Sequence, residues 1–63
     1  MIGLTDRRYA ELKRQLLQDF KEHRRIRPLK VLRDEIGNTS LAEVAAALTR
    51  MRGAGEFGPE RQA

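Results

Sequence analysis

The sequence predicts an all-α fold, a three-helix bundle containing a helix-turn-helix. Apolar residues recur at three- and four-residue spacings in three separate stretches, helix-capping residues stand ahead of two of them, and Pro28 and Gly37-Asn38 divide one stretch from the next. With 63 residues the chain has room for one domain only, assigned to 1–57, with a flexible C-terminal tail over 58–63 where Gly58 and Pro59 end regular structure.

The first helix is expected over 6–27. Thr5 is a natural N-cap with Asp6 in the first turn, and Leu4 can staple against Tyr9. Tyr9, Leu12, Leu16 and Phe20 fall on one face, Leu17 widens it, and Pro28 disfavours helical geometry at Arg27. The opposite face carries Arg7, Arg14, Gln18, Lys21 and Arg25, a basic stripe with Glu11 and Glu22 beside it.

A second, short helix is expected over 28–37. Pro28 suits a first helical position, Leu29, Leu32 and Ile36 share a face, and Gly37 or Asn38 can adopt the left-handed conformation that closes it. Ser40 three residues before Glu43 is a capping-box pattern, so a third helix is expected over 41–52, burying Leu41, Val44, Ala45, Leu48 and Met51.

Charge is distributed unevenly. From Arg7 to Arg33 ten basic residues stand against Glu11, Asp19 and Glu22, although the whole chain carries only +4. A cationic half points to a polyanionic partner, while solvated helix faces are its plainer explanation. The chain lacks cysteine, so disulfides and thiolate metal sites are excluded, and it lacks an apolar stretch of the roughly 20 residues a membrane helix requires. A cytoplasmic protein with no membrane association is the expectation.

Chemistry is sparse. His23 is the lone histidine, with Asp19 one turn before it, which suits an ion pair better than a zinc site. Gly53-Ala54-Gly55 follows a helix instead of a strand, so no phosphate loop or dinucleotide fingerprint is present. Ser40 is committed to its cap. No enzyme activity, cofactor or metal is expected.

From residues 29 to 57 the pattern of Gly37, Ser40, Val44, Leu48, Met51, Gly55 and Phe57 resembles the helix-turn-helix unit of winged-helix transcriptional regulators. The resemblance implies a recognition helix beginning after Ser40 and a path through Gly55 and Phe57 toward a wing. Six residues beyond Phe57 leave the wing reduced or absent.

The first functional reading is therefore a small DNA-binding protein, a transcriptional regulator or accessory factor, acting on duplex DNA as a homodimer. Arg24, Arg25, Arg27, Lys30 and Arg33 around the first junction, with Asn38, Thr39 and Ser40 at the turn, are the candidate phosphate contacts. Complementing the negative end of the first helix is the competing explanation for Arg24, Arg25 and Arg27. Arg50, on the outward face of the third helix, is the candidate base reader. The second reading is a small helical interaction module, an inhibitor or adaptor of the kind phages encode, gripping an acidic protein through the basic stripe or the edge containing Leu17. The few base-reading side chains on the third helix favour the second reading, and the capped turn favours the first.

Overall fold

The computed structural model describes residues 4–57, which form α1 (Asp6–His23), α2 (Leu29–Ile36) and α3 (Leu41–Gly53), with no strand among them. Each helix packs against the other two, giving the three-helix bundle expected from sequence. The tail assigned to 58–63 lies outside the described residues.

The caps do what their residue types allow. Thr5 Oγ1 accepts from the Arg8 amide at 3.1 Å and fixes the start of α1. Ser40 Oγ accepts from the Glu43 amide at 3.2 Å while Glu43 Oε1 accepts from the Ser40 amide at 3.1 Å, so both halves of the capping box form at α3. The end of α3 is closed by Glu56 N–H donating to the Met51 carbonyl and Gly55 N–H donating to Arg52, with Gly55 at φ 73°. That paired arrangement needs a left-handed residue where glycine stands.

The first helix ends earlier than expected, at His23 instead of Arg27. Arg24 takes the left-handed conformation (φ 57°, ψ 27°), and its amide donates to the Phe20 carbonyl. A non-glycine residue in that region costs about 1–2 kcal/mol. The reversal returns Ile26 to the core and lets Arg27 bind Asp19 of α1 and Glu35 of α2. Pro28 accordingly sits at the N-cap of α2, extended at ψ 146°, one position before the place expected for it.

The core is formed by Leu12 and Leu16 of α1, Leu32 of α2, Val44, Ala47, Leu48 and Met51 of α3, and Phe57 from the following turn. Phe57 packs tilted on Phe20 with ring centroids 5.2 Å apart, which ties the chain beyond α3 to the far half of α1. Leu17, Phe20 and Ile26 are half-buried against this cluster.

Tyr9 also packs on the core, and its hydroxyl is buried without a hydrogen-bond partner among the described residues. An unsatisfied buried hydroxyl costs free energy that an apolar edge does not. Tyr9→Phe is therefore expected to leave the thermal midpoint unchanged or raise it; a clear fall in circular dichroism melts would show that the hydroxyl is bonded in solution.

Candidate nucleic-acid interface

The turn between α2 and α3 is built from left-handed backbone and then sealed by side chains. Gly37 (φ 70°, ψ 162°) and Asn38 (φ 44°) reverse the chain. Gly37 occupies a region open essentially to glycine alone. From α1, Arg8 reaches across: Nε donates to Glu43 Oε2 at 3.1 Å, and a terminal nitrogen donates to the Asn38 carbonyl at 3.1 Å. Thr39 Oγ1 donates to Glu43 Oε1 at 3.2 Å.

Glu43 is thus the centre of the turn. The Ser40 amide first, then the Arg8 guanidinium, hold its carboxyl below the usual carboxylate range, and Glu43 followed by Glu11 raises Arg8 above the ordinary arginine value. A carboxyl whose pKa is depressed by folding contributes stability above its unfolded value, and that contribution is lost as pH falls through the folded value. Thermal stability is expected to decline as pH drops below the ordinary glutamate value of 4.5. Glu43→Gln keeps an acceptor for Ser40 but carries no charge, so its melts should show a shallower acid limb than the wild type; an unchanged limb would remove Glu43 from the account.

Of the residues expected at the interface, several are engaged within the fold. Asn38, Thr39 and Ser40 are bonded within the turn through a backbone carbonyl, a hydroxyl, and an amide plus hydroxyl respectively. Arg50 lies over the Tyr9 ring at 4.1 Å and donates to Asp6 at 2.7 Å, so its guanidinium faces α1 instead of standing free on the outside of α3. Arg27 is nearly buried between Asp19 and Glu35, whose carboxylates, Asp19 first, hold it well above the ordinary arginine range. Arg33 pairs with its neighbour Asp34 at 3.2 Å.

The side chains of the remaining three are unpaired among the described residues. Arg24, Arg25 and Lys30 are exposed, and their side chains make no ion pair or hydrogen bond to the described residues. Arg24 and Arg25 form the reversal after α1, and Lys30 lies in the first turn of α2. That first turn holds no acid, and Pro28 supplies no side-chain cap. A lysine at the positive end of a helix dipole does not stabilise the helix. The α1 end accounts for a cation at Arg24 or Arg25 but not for Lys30.

No family model, curated protein or solved structure matches this chain. The geometry of the junction and of α3 is what bears on function. Lys21, in the last turn of α1, is a further exposed cation that is unpaired among the described residues. The sequence places it on the stripe of the first helix, and its position in the last turn follows from the early stop at His23. On α3, Ala42, Thr49 and Gly53 are exposed, a face of small side chains that lets backbone approach another surface closely.

The described residues hold no group of three histidine, cysteine, aspartate or glutamate side chains placed for a metal, and none of their helices is long and apolar enough to cross a membrane. His23 Nδ1 lies 3.0 Å from the Asp19 carbonyl and 3.4 Å from its carboxylate, a local pairing one turn apart.

Proposed function

We propose that this chain is a small DNA-binding protein that grips duplex DNA mainly by its phosphates, as a regulator or accessory factor. The observation that carries the reading is the junction of α1 and α2, where Arg24 and Arg25 precede, and Lys30 lies within, a helix start that has no acidic residue in its first turn and no side-chain cap. Backbone amides of a helix start, with cations flanking it in the chain that are unpaired among the described residues, provide what a phosphate oxygen needs. The helix-turn-helix connectivity of α2 and α3 and the resemblance to winged-helix regulators support the same reading.

In this reading α3 enters the major groove with its small-residue face. Alanine methyls and the Thr49 hydroxyl offer contacts to thymine methyls and base edges, but no long side chain on that face makes a bidentate pair. Affinity therefore comes from phosphates and sequence preference is weak. A homodimer belongs to the reading, because two copies double a small number of phosphate contacts. Sedimentation at micromolar concentration as a species of twice 7.3 kDa is its check.

The test is fluorescence anisotropy of a labelled duplex titrated with the whole chain from about 50 to 200 mM salt, where each neutralised phosphate adds about 0.9 to the steepness of log K against log salt. The expected slope reflects at least the three junction cations. Binding weaker than about 10⁻⁴ M at physiological salt, or a slope near zero, would overturn the reading.

A further inference from the structure

A second surface lies between the start of α2 and the last turns of α3, and the DNA-binding reading leaves its apolar walls and Arg52 unused. Its cavity of about 320 Å³ is walled by Ile26, Leu29, Ala45 and Leu48, with Thr49 and Arg52 at the edge. Leu29 is 37% exposed, an uncommonly wet leucine for a chain with so little core. One turn before Ala45, Leu41 is 41% exposed. Leu41, Ala45, Leu48 and Arg52 follow spacings of four, three and four, so they form one continuous strip along α3 that is apolar until it ends in a cation.

The charge around the groove has one sign. No carboxylate lines it. Of its two arginines, Arg27 is spent on Asp19 and Glu35, whereas the Arg52 guanidinium is exposed and makes no ion pair or hydrogen bond to the described residues. Lys30, next to Leu29 in the chain, is unpaired as well. Two copies joined through this face by a two-fold axis would bring like charges together and offer the Arg52 of neither copy a carboxylate from the groove.

We infer that this groove docks an acidic amphipathic helix from another protein, with an apolar side chain seated among Ile26, Leu29, Ala45 and Leu48 and a carboxylate meeting Arg52. The docking mode is that of a helix laid in a groove and read through apolar anchors at three- and four-residue spacing. It shares Leu29 and Thr49 with the DNA-binding reading, whereas Ile26, Ala45, Leu48 and Arg52 belong to the groove alone.

The experiment titrates the isotope-labelled whole chain with a synthetic helical peptide bearing leucines on one face and glutamates beside them, and separately with a shuffled peptide of the same composition. Amide shifts confined to Ile26, Leu29, Ala45, Leu48, Thr49 and Arg52, with the shuffled peptide at least about tenfold weaker, support the inference; one such anchor lost accounts for that ratio. Arg52→Glu should weaken the peptide about threefold to tenfold, as expected for an exposed charge pair reversed. Thr49→Glu, at another exposed position, should weaken it as well, and both variants should melt like the wild type.

Equal binding by the shuffled peptide, shifts along Arg7 and Arg14 instead, or no shift at millimolar peptide would overturn the inference. So would self-association of the chain mapping to the same residues. Failure of duplex binding alone would leave these results unchanged, so the two proposals fail separately.

Discussion

Leu12→Ala is expected to leave most of the chain unfolded at 25 °C. Leu12 is 1% exposed and belongs to the core shared by the three helices. Truncating a buried leucine removes transfer free energy and leaves a cavity, together about 2–5 kcal/mol. A single core in a chain of this size supplies only about 3–5 kcal/mol of net stability, so the substitution consumes most of it. Loss of the helical circular dichroism signal at room temperature is the expected result. A cooperative melt within a few degrees of the wild type would mean that the core has stabilisation not accounted for by these residues.

The second large effect concerns binding. Replacing Arg24, Arg25 and Lys30 together by alanine should lower the salt slope for duplex DNA by up to about 2.7, at about 0.9 per phosphate contact. The fold should survive, because all three side chains are exposed and unpaired among the described residues, and surface changes of this kind stay within about 0.5 kcal/mol. Anisotropy titrations of the variant at several salt concentrations measure the change. A variant that melts normally and binds with the wild-type slope would place the phosphate contacts elsewhere. Arg50→Ala is the useful comparison, since its guanidinium is held by Asp6 and Tyr9 and its removal should change the slope little.

Local signals carried much of the fold in the sequence. Thr5, Ser40 with Glu43, and Gly37-Asn38 act within three or four residues of themselves, and each performs in the structure the task its chemistry suggested. The end of α1 was not legible in the same way. Pro28 constrains Arg27 alone, whereas the stop at His23 depends on Arg24 turning left-handed so that Ile26 and Arg27 reach partners on two helices.

The candidate site was partly legible for the same reason. The cations are visible in sequence, but which of them are engaged depends on the fold: at the junction Arg27 reaches Asp19 and Glu35 on two helices, and elsewhere the partners are distant in the chain. Asp6 and Arg50 are 44 residues apart, and Arg8 and Glu43 are 35 apart. No helical wheel pairs them. Arg52 was overlooked, although its place four residues after Leu48 and eleven after Leu41 puts it on a readable strip. The strip forms a groove because α2 leaves Leu29 exposed beside it, which local spacing does not reveal.

The most direct test of the central claim is to map where duplex DNA touches the molecule. Amide spectra of the labelled chain, recorded while an unrelated-sequence duplex is added at low salt, report position independently of affinity. Shifts are expected at Arg24, Arg25, Leu29 and Lys30, with a second set at Ala42, Thr49 and Gly53, and both should retreat as salt is raised. Shifts confined to Arg7 and Arg14 on α1, or none at the junction while the duplex is bound, would contradict the account.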